Sequence, residues 1–157
     1  MTNLFIALVV MLQGMTAMQA ESPYPVVVVD DPQEVRHAVG FPVDGTFTPS
    51  QEEAEAPRRD LPRYLEAEGL HGKSKERRDS LRRIGLAQAQ YLWHCGGYKK
   101  DGQKNLFCSL VRGEMSEQSF LRRKTFPVIK DGGISVCRCH FNMKSGRIVR
   151  LEWNGEA

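Results

Sequence analysis

The chain has 157 residues, 22 Lys or Arg against 19 Asp or Glu, and a net charge of +3. It holds no Ser/His/Asp arrangement with a nucleophile elbow, no phosphate-binding glycine loop and no paired-carboxylate motif, which excludes the common hydrolase and nucleotide-binding signatures. Charge and cysteine are unevenly spread, and a change of character near residue 83 divides the chain.

The N-terminal run from Asn3 to Met18, NLFIALVVMLQGMTAM, is uncharged and largely apolar. It falls short of the roughly 20 residues of a membrane-crossing helix. A secretory signal over residues 1–20 fits it better, cut after the small residue Ala20, with the polar Glu21-Ser22-Pro23 next in the chain. Met18 and the absence of Lys or Arg before the run depart from the usual signal pattern, so a retained anchor or a buried helix are the alternatives. Secretion implies an oxidising destination.

Residues 21–83 read as an acidic-then-basic propeptide or linker. Glu21 to Pro57 holds eight acidic residues and one basic one, with six prolines scattered through it, a composition closer to a linker than to a core. Val26 to Val29 is the one candidate strand, placed to dock on the cysteine-bearing unit. Arg58 to Arg83 reverses the balance to nine basic and five acidic residues. Its pairs Arg58-Arg59, Arg77-Arg78 and Arg82-Arg83 suit cleavage after Arg59, Arg78 and Arg83 by a kexin-type protease. The competing reading is two solvated helices: Asp60 as cap of Leu61 to Glu68 with Gly69 as the stop, and Ser74 as cap of a helix through Arg83.

Residues 84–157 carry all four cysteines and twelve basic against six acidic residues. A unit of this size is marginal without cross-links. Cys95, Cys108, Cys137 and Cys139 therefore read as two disulfides, in any of three connectivities. A zinc set of His94, Cys95, Cys137, Cys139 and His140 is the alternative, although Cys-x-Cys is not the usual zinc spacing; no metal or other cofactor is expected. Ala87 to Cys95 alternates as a half-buried strand and suits a helix nearly as well. Gly96 to Gly102 reads as a Lys-rich loop. Asn105 caps a predicted short helix to Arg112, from which Cys108 bonds to the hairpin downstream. Ser116 to Lys124 reads as a helical turn or two, and Phe126 to Ile129 as a strand.

The clearest expectation is a hairpin around Lys144-Ser145-Gly146, pairing Met143 with Arg147, Phe141 with Val149, Cys139 with Leu151 and Cys137 with Trp153 on one apolar face. Its other face sets Arg138 opposite Glu152 and His140 opposite Arg150. The whole predicts an α+β fold: a small antiparallel sheet with one or two short helices, disulfide-stabilised, behind a poorly structured leader.

The candidate contact residues are Lys99, Lys100, Arg122, Arg123, Lys124, Arg138, His140, Arg147 and Arg150, a basic set that suits phosphate, with Tyr98 available for stacking. Lys104, Lys130 and Lys144 add to the same charge. His140 is the residue that could serve as a general base or an RNA contact.

The layout of signal, acidic leader, dibasic sites and small basic cysteine-bearing unit resembles secreted effectors of plant-associated fungi. Tyr91 to Cys95, Phe126-Pro127-Val128-Ile129 and Arg147-Ile148-Val149 stand in an order similar to the fungal guanyl-specific extracellular ribonucleases and the ribonuclease-like effectors derived from them. That resemblance implies one helix packed on an antiparallel sheet. The family's catalytic glutamate would precede Phe126, where this chain has Thr125; its arginine maps to Arg147, and its later histidine has no counterpart. The resemblance therefore implies a non-catalytic member that binds.

Three functions suit these features. The first is a secreted, monomeric, effector-like protein, host-cell directed, that binds a host protein or RNA through its basic face and keeps no stable membrane span after signal removal. The second is a small secreted ribonuclease using His140 and Arg147 with Glu114 or Glu117. The third is a processed peptide-hormone-like precursor.

Overall fold

A computed structural model describes residues 22–71, 74–113, 123–130 and 132–154. The elements run β1 (Val27–Val28), α1 (Pro32–Val39), β2 (Gly45–Phe47), α2 (Gln51–His71), α3 (Lys75–Leu86), β3 (Tyr91–Lys100), β4 (Gln103–Arg112), β5 (Val136–Asn142) and β6 (Arg147–Trp153). They form a disulfide-stabilised α+β fold around one mixed sheet. The strand order is β1-β3-β4-β5-β6, with β2 also pairing β3. β1 runs parallel to β3, and the remaining pairs are antiparallel. The predicted signal lies outside the described residues, as do residues 114–122.

The three helices have local causes. Asp31 Oδ1 accepts from Gln33 N at 2.8 Å, Pro32 sits at the first position of α1, and Gly40 closes it at φ 74°. Ser50 and Glu53 form a reciprocal cap for α2: Glu53 N donates to Ser50 Oγ and Ser50 N to Glu53 Oε2. Ser74 caps α3, as its sequence position implied, by accepting from Arg77 N. Asp60 caps nothing; it lies inside the longer α2, which also accommodates Pro57 and Pro62.

Residues expected in a poorly structured leader thus supply three helices and two strands. The reason is packing that composition does not reveal. Ala54, Leu61, Leu81 and Ile84 join Trp93, Leu106, Leu110, Phe141 and Leu151 in one buried cluster on the sheet's first face. Val29, Val35 and Val39 join Tyr98, Phe107 and Phe126 on the second face. Burial at about 25 cal/mol per Å² outweighs an unfavourable local composition. The expected docking of Val26 to Val29 is realised by the pairing of Val27 and Val28 with His94 and Cys95.

Several segments downstream depart from expectation. Asn105 to Arg112 is strand β4, not a helix, and is buried on both sides from Asn105 to Val111. A strand covered on both faces loses the alternation that betrays it. Gly96 and Gly97 belong to β3 rather than to a loop. A Cβ at Gly96 would lie 2.6 Å from Val35 Cγ2, and one at Gly97 2.5 Å from the Phe47 carbonyl oxygen, so both glycines admit close neighbours. The turn is Asp101-Gly102, at φ 51° and 72°, a pair suited to a two-residue hairpin. Phe126 to Ile129 is not a strand, although Phe126 is buried. The predicted helical turn over Ser116 to Lys124 lies mostly outside the described residues.

Cys95 and Cys108 are directly opposed on β3 and β4, 4.2 Å apart at Cα, and are bonded. Cys108 lies opposite Cys139 of the hairpin as well, but its bond is to Cys95, and Cys137 and Cys139 are buried thiols outside that bond. Lying two residues apart on one strand, about 7 Å between Cα atoms, they are at the limit of bridging one another.

Candidate functional site

The β5–β6 hairpin positions the candidate residues. Its register matches expectation from Cys137↔Trp153 through His140↔Arg150, then a bulge between His140 and Phe141 shifts Phe141 onto Ile148 and Asn142 onto Arg147. Ile148 enters the core and Val149 is left 59% exposed. The bulge sets which residues line the open rim of the second face.

His140 is not on a solvated charged surface. It is 7% exposed, because α1 and the segment after it lie against that face of the sheet. Phe41 stacks on its ring at 5.7 Å between centroids, and Tyr98 and Phe107 meet it edge-on at 5.9 and 5.3 Å. Its Nδ1 and the Tyr98 hydroxyl share a 2.9 Å hydrogen bond. Burial, reinforced by the Arg150 guanidinium and the Lys100 ammonium and opposed by Glu152, lowers its pKa to about 4. Burial first, then Cys139, pushes the Tyr98 phenol up to about 12. At neutral pH both groups are uncharged, His140 a weak base and the Tyr98 phenol a weak acid.

Beside this pair opens a cavity of about 430 Å³, lined by Phe41, Tyr98, Lys100, His140, Val149 and Arg150. The Lys100 ammonium sits 4.4 Å from the Phe41 ring centroid. Asp101, Gln103 and Asn105 form its polar rim. The cavity thus offers two cations, aromatic surface, the Asp101 carboxylate at its rim and neutral hydrogen-bonding groups within one open volume.

Of the sequence candidates, Lys100, Arg138, His140 and Arg150 gather on this face. Lys99 is exposed on β3 opposite Lys104. Arg123 is exposed, and Lys124 pairs with Asp30 at 3.4 Å. Arg122 lies outside the described residues, as do Glu114 and Glu117. Arg147 is drawn to Asp60 of α2, 3.5 Å away, and α2 packs on the opposite face of the sheet, so His140 and Arg147 are not assembled into one site. The zinc alternative is divided in the same way: Cys95, Cys137 and Cys139 line the first face, while His94 and His140 alternate onto the second.

Phe41 is the site residue that sequence reasoning missed. The signals were present in Asp31-Pro32 as a helix start and Gly40 as its stop, which together place Phe41 just beyond a helix end.

No protein-family model, curated protein or solved structure matches the chain. Among the described residues, no helix is long and apolar enough to cross a membrane.

Proposed function

We propose that the protein is a secreted, monomeric, effector-like binder of host RNA, and that it binds without catalysing cleavage. One observation carries this reading: Lys100 and Arg150 flank a cavity whose open aromatic surface is the half-buried Phe41 ring, backed by the uncharged, buried Tyr98 and His140. Cations hold phosphate, and uncharged ring faces stack unpaired bases. The buried disulfide is consistent with a protein made for an oxidising compartment. The ribonuclease reading has weaker support, since His140 is a weak base and Arg147 is engaged with Asp60.

The working form retains the helices. Arg59 lies in α2 and Arg78 and Arg83 in α3, beside buried Leu61, Leu81 and Ile84. Cutting there would strip the first face of its cover, which disfavours the hormone-precursor reading. The test is fluorescence anisotropy with a labelled uridine hexanucleotide at about 50 mM salt, where phosphate contacts are strongest. Binding that falls with salt and weakens about tenfold in Lys100→Ala and in Arg150→Ala is expected. Absence of binding at low salt overturns the reading, and cleavage lost in His140→Ala would restore the enzyme.

A further inference from the structure

A second cavity of about 430 Å³ adjoins the first and shares Arg150 with it. Its other polar and aromatic walls are Arg77, Arg138, Glu152, Trp153 and Asn154. Strand geometry sets the step between the two. Arg138 and His140 lie two residues apart on β5, as do Arg150 and Glu152 on β6, so each pair shares a face and is separated by about 7 Å. The register places His140 beside Arg150 and Arg138 beside Glu152. Arg150 and Arg138 are therefore consecutive along the second face, whereas Trp153 and Leu151 alternate onto the first face beside Arg77 of α3, so the second cavity continues from the first round the β6 edge of the sheet.

Each position has the same chemistry. Lys100 serves the first, Arg150 stands between them, and Arg138 serves the second, while Arg77 forms its wall, held by the Leu151 carbonyl and Glu68. The first has Phe41 as a stacking surface; the second has Trp153, with the Arg77 guanidinium 5.0 Å from its ring centroid. Unpaired bases stack on rings and on guanidinium planes alike. Glu152 is the one carboxylate lining the second cavity among the described residues, and it binds Arg150. An acid in this place keeps two neighbouring cations compatible and occupies the guanidinium that joins the cavities.

We propose that the second cavity is a second nucleotide subsite, so that the ligand is unpaired RNA of at least two nucleotides laid across Arg150. Glu152 holds Arg150 in the free protein, and an incoming phosphate displaces its carboxylate. The proposal rests on the RNA-binding reading of the first cavity.

The experiment compares labelled uridine mononucleotide and hexanucleotide on the full chain, with Trp153 quenching as a second readout, because Trp93 is buried. Arg138→Ala should weaken the hexanucleotide about tenfold and leave the mononucleotide unchanged, whereas Lys100→Ala should weaken both. Glu152→Gln, which removes one negative charge at nearly constant shape, should tighten the hexanucleotide severalfold, and a gain of binding cannot be mistaken for a folding defect. Hexanucleotide binding that ignores Arg138→Ala and Glu152→Gln while still responding to Lys100→Ala overturns the second subsite alone. Binding of neither ligand by the unaltered protein overturns the RNA reading beneath it. Equal competition by polyglutamate would show a simple polyanion surface and also overturn the subsite.

Discussion

The two faces of the sheet come from one alternating pattern and end in different states. On the first face, α2 and α3 seal Trp93, Leu110, Phe141 and Leu151 together with the Cys95–Cys108 bond. On the second, α1 and Phe41 cover only part, burying His140 and leaving the cationic cavity open beside it. Alternation decides which residues share a face, but the covering elements decide whether that face becomes core or site. α1, α2, α3 and Phe41 all precede residue 87, with Phe126 added on the second face, so the acidic and dibasic region shapes each face.

The sealed face is also locked at its margin. β6 would otherwise present unpaired backbone groups along its outer side. Asp60 Oδ2 accepts from Ile148 N at 2.7 Å, and Arg77 Nη2 donates to the Leu151 carbonyl at 3.2 Å. Arg63 and Arg147 complete the surroundings of the Asp60 carboxylate. A charge drawn from α2 and another from α3 thus hold the strand whose other side chains line the open face.

The largest effect should come from unsealing the first face. Leu61→Ala is expected to cost about 3 kcal/mol in denaturant unfolding, as for other buried leucines; an unchanged midpoint would mean α2 is a dispensable leader. Replacing Cys95 and Cys108 by serine should cost about 3 kcal/mol, given the 13-residue separation. Asp60→Ala should cost about 2 kcal/mol through the lost charged hydrogen bonds at β6, and Arg147→Ala should leave RNA affinity unchanged.

The second face should reveal itself through pH. Because burial holds His140 near 4 in the folded protein, against about 6.5 unfolded, the unfolded chain binds the extra proton first. Stability contributed by this residue is complete above about pH 6.5 and is lost as pH falls towards 4, by about 2–3 kcal/mol. Unfolding measured from pH 7 to 4 should show that loss, and His140→Gln should flatten it. The smallest expected effect is Lys100→Ala, which lowers RNA affinity about tenfold, or about 1.4 kcal/mol, with little change in stability.

How much of this was legible depends on how local the cause is. The hairpin register from Cys137 to His140 follows from alternation, and the Ser74 cap from one residue type in place. The bulge was signalled by adjacent Ile148 and Val149, which break strict alternation. The turn at Asp101-Gly102 was signalled by its residue pair, and α2 by Ser50 and Glu53 three apart. Those signs were overridden by lysines that suggested a loop and by prolines and acids that suggested a linker. The burial of His140 was not legible at all, since Phe41 lies nearly a hundred residues away in sequence and no local pattern joins them. The closed pairing of Cys95 with Cys108 likewise needed the β3–β4 register, which the predicted helix over Asn105 to Arg112 had hidden.

If the open second face and the β6 edge bind RNA while the sealed interior of the first face only holds the fold, the two regions must respond differently to ligand. Titrating isotopically labelled protein with a uridine hexanucleotide and following backbone amide resonances tests this most directly. Shifts concentrated at Lys100, His140 and Arg150 are expected, with Leu61, Leu81 and Leu110 unmoved. Shifts centred on α2 and Arg147, or none anywhere on the second face, would contradict RNA binding at the open face.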